Sequence, residues 1–306
     1  MSLAIISPGK NPKAWVKVIQ KLGPDLRIQI YPDISDPEEV EIAFLWQHPA
    51  GVLSNYPNLK LISSMGAGVD HILRDQSISL DIPIVRIVDD KLTWSMSNYV
   101  VMAVLNYHRQ ITRYQIDQKR KVWDMSNPEL DVTIGVMGVG ALGADVLEKL
   151  RMMHFPVVGY GFSEKKNLDF PYYSKNQLEQ FLKSINVLVC LLPLTRETEN
   201  ILSLDLFEKC NPGTYLINVA RGKHLVEAEL ITAFDKGYLS GAMLDVYREE
   251  PLPTDHPFWE EDRITMTPHI ASVTNPQAAA PQLIENIDRI RSNRALLNLV
   301  DRTKGY

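Results

Sequence analysis

Short apolar runs alternate with segments of helical spacing along almost the whole chain. Leu3–Ser7, Arg27–Tyr31, Ile42–Trp46, Leu59–Ser63 and Ile84–Val88 fit buried strands, and Ala14–Leu22, Gly51–Asn55 and Val69–Leu73 fit helices between them. Five such units predict an open parallel sheet with helices on both faces. A stretch without Gly or Pro follows from Ser95 to Trp123, with Val100, Val101, Val104, Leu105 and Ile111 among its apolar residues. As one helix rising about 1.5 Å per residue it would run around 40 Å, enough to cross from one domain to another. Residues 123–128, WDMSNP, break it.

At Asp131 a second series begins. Its predicted strands are Val132–Met137, Val157–Tyr160, Val187–Leu191, Thr214–Val219, Gly241–Asp245 and Ile264–Thr267. Helices are expected near Ala144–Met152, Asn176–Lys183, Leu204–Lys209 and Glu227–Lys236. A last helix, about Gln277 to Ser292, precedes a polar tail from Asp301. The α/β pattern predicts two doubly wound parallel-sheet domains with a cleft between them.

Gly138-Val139-Gly140-Ala141-Leu142-Gly143 follows the strand candidate ending at Met137 and opens the helix beginning at Ala144. Strand, G-x-G-x-x-G turn and helix together are the context in which these glycines signal a dinucleotide site. Gly138 permits the tight turn, Gly140 lets backbone approach a pyrophosphate, and Gly143 lets the helix pack on the strand. The helix start then offers N–H groups and a positive dipole end to phosphate. A tight strand-to-helix turn without a ligand would use the same glycines.

Composition narrows the class. The 306 residues suffice for one large or two ordinary domains, and 45% apolar with 23% charged residues is a globular balance. A net charge of −5 gives no basic footprint for nucleic acid. No apolar run approaches the length of a membrane span, and the first residues lack the layout of a secretory signal. Cys190 and Cys210 have no metal-ligand spacing, so no metal is expected, and Cys190 lies in an apolar run as a core thiol. A cytoplasmic, reduced protein is the expectation.

The second strand of a dinucleotide domain usually ends on an acid that binds ribose hydroxyls in NAD enzymes. Here Gly161 stands at that place, followed by Phe162, Ser163, Glu164, Lys165 and Lys166. Without a carboxylate there, a 2′-phosphate meets no repulsion, and Ser163, Lys165 and Lys166 could bind it. NADPH is therefore the expected cofactor, with NADH the alternative if Glu164 takes the acid's part.

Three later strands each end in a polar residue: Arg221 after Thr214–Val219, Asp245 with Glu250 just beyond, and His269 after Thr267-Pro268. In open α/β sheets ligands lie outside the carboxyl ends of the strands, the rim that also carries the glycine turn. Singly, each is ambiguous: an Arg after a strand is usually a surface residue, and a lone His is more often structural.

The motifs in order change that. NVARG at 218–222, GAMLDVYREEP at 241–251, TPHIAS at 267–272, MGAGVD at 65–70 and LLPLTRET at 191–198 resemble the D-isomer-specific 2-hydroxyacid dehydrogenase family. FLWQHP at 44–49, DVTIG at 131–135 and the terminal DRTKGY are similar to its bacterial glyoxylate- and hydroxypyruvate-reducing members. The resemblance covers essentially the whole chain. It implies a flavodoxin-like substrate domain from residues 1–98 and 281–306, and a Rossmann NAD(P)-binding domain from 99–280. It implies that Arg221 binds the substrate carboxylate and polarises its carbonyl, that His269 is the acid/base, and that Glu250 orients it, with Glu249 as its neighbour. Ala67 and Gly68 match a loop whose N–H groups hold the carboxylate, and Trp46 matches an aromatic at the substrate end. Gly140, Ala141 and Leu142 match pyrophosphate contacts; Leu191, Leu192, Pro193, Val219 and Asp245 match walls around the nicotinamide. Asn98 stands where many members have Glu, and Gly161-Phe162 replace an Asp-Arg pair common in NAD-using relatives.

Those roles suit the chemistry implied, reduction of small 2-oxo acids, glyoxylate to glycolate and hydroxypyruvate to D-glycerate. The cofactor brings a hydride, an Arg fixes the carboxylate bidentately, and a carboxylate-paired His gives the proton. A relative acting on another 2-oxo acid, such as phenylpyruvate or a phosphorylated one, is the second reading. Arg74 is the only evident extra cation in the first-domain loops, which favours small unphosphorylated substrates. The third is a non-catalytic NAD(H)-sensing interaction protein of the same fold. Family membership also implies a homodimer, without membrane or nucleic-acid partners.

Overall fold

A computed structural model describes residues 2–305. The chain forms two compact units, one holding the residues up to Leu92 and again from Val273, the other Thr93–Ser272. Both joins fall earlier than the sequence places them. The helix that follows Pro276 packs along its length in the first unit, and Met96, Tyr99 and Val100 already belong to the core of the second.

The first unit has strands β1 (Ser2–Ile6), β2 (Arg27–Ile30), β3 (Val40–Leu45), β4 (Leu61–Ser64) and β5 (Ile84–Val85), all parallel in the order β2-β1-β3-β4-β5. Its helices are α1 (Lys13–Leu22) and the single turn α2 (Asp70–Leu73). The strands are apolar throughout because both sheet faces are covered, yet the period of two is still at work. Leu3, Ile5, Ile42, Phe44 and Leu61 join Ile19 of α1 on one face, and Ala4, Ile6, Ala43, Leu45 and Ile62 join Val69 and Ile72 on the other. The expected helix at Gly51–Asn55 is a 3₁₀ turn, Val52–Asn55, entered through Gly51 at φ 78°.

The expected helix from Ser95 to Trp123 is two helices, α3 (Asp90–His108) and α4 (Ile111–Arg120). No Gly or Pro marks the break. Gln110 turns left-handed at φ 53°, while Leu130 donates to the His108 carbonyl and accepts at its own carbonyl from His108 Nδ1 at 2.7 Å. A segment remote in sequence thus ends the helix.

The second unit has β6 (Ile134–Met137), β7 (Val157–Gly161), β8 (Tyr172–Ser174), β9 (Val187–Cys190), β10 (Thr214–Asn218), β11 (Leu239–Leu244) and β12 (Ile264–Met266). They form one sheet ordered β12-β11-β10-β9-β6-β7-β8, with every pairing parallel. Six strands were expected; β8 is the addition, a half-buried edge of three residues with no apolar run to reveal it. Its helices are α5 (Ala141–Met152), α6 (Leu178–Lys183), α7 (Leu204–Glu208) and α8 (Glu227–Asp235). Val136, Val189 and Ile217 pack with Val100 and Val104 of α3 and Val146 and Leu150 of α5. Leu188, Leu216 and Leu244 pack with Phe181, Phe207 and Leu230 on the opposite face. The chain then returns to the first unit through α9 (Pro276–Arg291), whose Leu283 and Ile287 close the α1 side of that unit. Among the described residues no helix is long and apolar enough to cross a membrane.

The loop after β3 is fixed by one buried carboxylate. Asp75 accepts from His48 Nε2 and Gly51 N–H at 3.0 Å and from the Ser77 hydroxyl at 2.6 Å. Burial alone would raise the Asp75 carboxyl, but the Ser77, Gly51 and His48 hydrogen bonds outweigh it and hold it below its ordinary value. Its stabilisation is therefore full near neutrality and is lost only as pH falls through that depressed value. Asp75→Ala strands these donors, so urea denaturation should show a loss of about 3 kcal/mol at pH 7.

Candidate active site

Parallel pairing brings the carboxyl ends of β6, β9, β10, β11 and β12 to one edge of the second unit, and the reversal of strand order falls between β6 and β9. The glycine turn lies at that switch point. Its three glycines answer to different constraints. Gly138 has φ 101°, and a Cβ there would meet the Leu191 carbonyl oxygen at 2.5 Å. A Cβ on Gly143 would lie 2.0 Å from the Gly138 oxygen, so the helix packs directly on the turn. Gly140 has an ordinary extended φ of −84° and a Cβ there would meet nothing within 4 Å. Nothing inside the chain requires Gly140 to be glycine. The exposed space over it, beside the first N–H groups of α5 at Ala141 and Leu142, fits a pyrophosphate.

Around this turn the structure gathers only part of the expected set. Lys165 donates to the Val139 carbonyl and so carries its ammonium onto the glycine turn. Ser163 is exposed, and its carbonyl accepts from the Tyr172 hydroxyl at 2.6 Å. Lys166 and Glu164 are exposed nearby. Gly161 has a packing reason that the sequence does not show: a Cβ there would lie 2.6 Å from the Tyr172 hydroxyl. The phenol stands where a ribose-binding acid would start. Opposite the turn, Leu192 and Val219 are buried, and Leu191 and Pro193 are half-buried.

Arg221, Glu250 and His269 converge at the ends of β10, β11 and β12. His269 Nδ1 lies 2.7 Å from Glu250 Oε2, while Glu250 Oε1 accepts the Tyr247 N–H at 3.0 Å. Burial raises the Glu250 carboxyl, but hydrogen bonds from His269 and Tyr247 and the charges of His269 and Arg221 outweigh it and hold it low. Glu250 is thus an anion facing the imidazole. Gly222 makes the arrangement physically accessible: a Cβ there would fall 1.8 Å from the Tyr247 carbonyl carbon. That backbone contact brings the Arg221 turn against the segment leading to Glu250.

Sequence reasoning missed the supports behind these groups. Buried His224 bridges the Arg221 N–H, 3.2 Å from Nδ1, and the Pro193 carbonyl, 3.3 Å from Nε2, tying two loops of the rim. Buried Asn218 donates to the Arg221 carbonyl at 3.2 Å. Asp245, expected as a wall of the nicotinamide site, is 1% exposed, and its carboxylate accepts from Thr267 Oγ1, Ile270 N–H and Ala271 N–H. The motif spacing shows these residues, but only the fold shows which bonds they make.

The first unit carries the remaining expected residues on adjacent strand ends. The Gly68 carbonyl accepts from Ser64 Oγ at 2.8 Å, which fixes the turn. Among the described residues no protein acceptor takes the N–H of Ala67 or Gly68. Trp46 packs on Gly66, where a Cβ would meet its ring at 3.2 Å, and stands 5.4 Å from the His71 ring. Lys10 Nζ sits 4.0 Å from the Trp46 ring centroid, a cation that the sequence reading passed over in favour of Arg74. Arg74 lies 3.8 Å from Asp70.

Residues 101–271 match the family domain described as D-isomer specific 2-hydroxyacid dehydrogenase, NAD binding domain. The chain is 36% identical, over 100% of both chains, to a glyoxylate/hydroxypyruvate reductase A of Yersinia enterocolitica. Its structure is similar, with a TM-score of 0.94 and 34% identity, to a D-isomer specific 2-hydroxyacid dehydrogenase from Xanthobacter autotrophicus Py2 in complex with NADPH and MES. That match covers 100% of this chain and 99% of the other. An NADPH-dependent glyoxylate/hydroxypyruvate reductase from Sinorhizobium meliloti, in complex with NADP and sulfate, matches at a TM-score of 0.92 and 34% identity over the same shares.

The glycines give a paired test. Gly140→Ala should leave urea stability unchanged while weakening dinucleotide affinity about tenfold or more, since only an approaching phosphate meets the new methyl. Gly143→Ala should lower both, with about 1–3 kcal/mol of stability lost to overpacking. Fluorescence titration with NADPH alongside denaturation separates the two.

Proposed function

The chain belongs to the D-isomer specific 2-hydroxyacid dehydrogenase family, and we propose that it is an NADPH-preferring reductase of glyoxylate and hydroxypyruvate. The observation that carries the mechanism is the His269–Glu250 contact of 2.7 Å beside Arg221. Glu250 engages Nδ1, so Nε2 holds the transferable proton. The carboxylate stabilises the imidazolium that must exist before transfer, and Arg221 supplies a planar cation for the substrate carboxylate and its carbonyl oxygen. In the first unit, the Ala67 and Gly68 N–H groups suit a carboxylate, and Trp46 suits a boundary for a small substrate. The reduced nicotinamide, when bound, supplies the hydride. The Gly138–Gly143 turn would hold its pyrophosphate, Leu191–Pro193 and Val219 would line its nicotinamide half, and Lys165, with Ser163 and Lys166, would favour a 2′-phosphate. The NADPH and NADP named for the two solved relatives support that preference.

The domain roles follow the same reading: the unit ending at Leu92 and resuming at Val273 binds substrate, and Thr93–Ser272 binds cofactor. The free, buried Cys190 and Cys210 suit a reducing cytoplasm.

A turnover panel of glyoxylate, hydroxypyruvate, pyruvate and phenylpyruvate with NADPH and NADH tests the proposal. The first two substrates with NADPH should give the highest kcat/KM; a clear NADH preference, or no turnover, defeats it. His269→Ala should lower kcat by about 10²–10⁴-fold with little change in cofactor affinity. Glu250→Gln removes the anion that faces the imidazole, so kcat should fall by about 10-fold or more with little change in cofactor affinity.

A homodimer is proposed as well, paired through the second unit. Trp123, at 91% exposure, stands with Met125, Val122 and Ile111 as apolar surface after and along α4. Light scattering should give twice the 34.7 kDa of one chain. Trp123→Asp should shift that mass toward the monomer.

A further inference from the structure

His269 sits at φ 55°, a left-handed conformation that costs a residue with a side chain about 1–2 kcal/mol. Such a residue persists only where its surroundings over-determine it. Here the grip comes from Asp245 on both sides of the turn. Its carbonyl accepts the His269 N–H at 2.8 Å, and its carboxylate accepts the Ile270 and Ala271 N–H groups, each at 2.8 Å. The third donor to that buried carboxylate is Thr267 Oγ1 at 2.6 Å.

A carboxylate only accepts, so Thr267 must give its one hydroxyl hydrogen to Asp245. Its lone pair then takes the Tyr99 hydroxyl, 2.5 Å away on α3. The direction of the chain is thereby set: Tyr99 to Thr267 to Asp245. The Tyr247 hydroxyl shares its one hydrogen between the Leu244 carbonyl at 2.9 Å and the Thr267 carbonyl at 3.1 Å, and the Tyr247 N–H donates to Glu250.

We propose that Tyr99 and Thr267 are positioning residues for the reaction, holding His269 in its left-handed turn through Asp245. Their hydroxyls act on Asp245, and through it on the backbone that aims the imidazole. The proposal rests on His269 being the proton donor. Proton transfer is steep in geometry, since misplacement by about 1 Å can cost about 100-fold.

The test uses the full chain with saturating NADPH and glyoxylate. Thr267→Val should lower kcat about 10- to 100-fold and Tyr99→Phe about fivefold, with NADPH affinity by fluorescence titration within about twofold of the parent. Thr267→Ser keeps the donor and should stay within about threefold of the parent. On a His269→Ala background, Thr267→Val should cost nothing further, because the group it positions is gone. Unchanged kcat in Thr267→Val or Tyr99→Phe, equal losses in the Val and Ser variants, or an undiminished loss on the His269→Ala background overturns the positioning role. Full activity in His269→Ala overturns the proton-donor reading instead. Should Thr267→Val fail to fold, Tyr99→Phe, which removes one atom, decides alone.

Discussion

Parallel strand pairing is the constraint on which the rest of this molecule depends. When every strand of a sheet points the same way, every loop that leaves a strand emerges at the same edge. The glycine turn after β6, Leu191–Pro193 after β9, Arg221 after β10, Asp245 after β11 and His269 after β12 share a rim for that reason alone. Chemistry collected from residues 138 to 269 needs no other device to bring it together.

Sharing a rim does not give contact, and contact is made where backbones approach without side chains between them. Gly222 against Tyr247 and Gly143 against Gly138 are both closer than a Cβ permits. The first closes the Arg221 turn onto the Glu250 segment; the second seats the N-terminus of α5 against its strand. Gly140 differs from both, because the chain itself makes no use of its bareness. That difference separates a glycine kept for packing from one kept for a ligand.

Electrostatics is then distributed between two carboxylates with distinct work. Glu250 faces the imidazole and is held ionised against its own burial by the groups around it. Asp245 faces the backbone of the turn and spends its oxygens on Thr267, Ile270 and Ala271. Three hydrogen bonds commit Asp245 to the turn, and Glu250 is left to the imidazole.

The apolar periodicity and the glycine turn were enough to read two doubly wound domains, the strands of the rim and the candidate residues on it. Those signals are local: a buried strand, a strand-to-helix turn and a polar residue at a strand's end each leave a mark within a few residues. The break between α3 and α4, the edge strand β8 and the phenol of Tyr172 over Gly161 left no such mark. Each depends on a partner elsewhere in the chain: Leu130 for the helix end, β7 for the edge strand, and the Tyr172 hydroxyl for a glycine that reads in sequence as only a missing acid. By itself, then, the sequence determined the architecture and which side chains reach the rim, because pattern and strand order are written along the chain. The tertiary structure alone decided which of them bond, since hydrogen bonds such as Tyr99 to Thr267 join residues that no spacing relates.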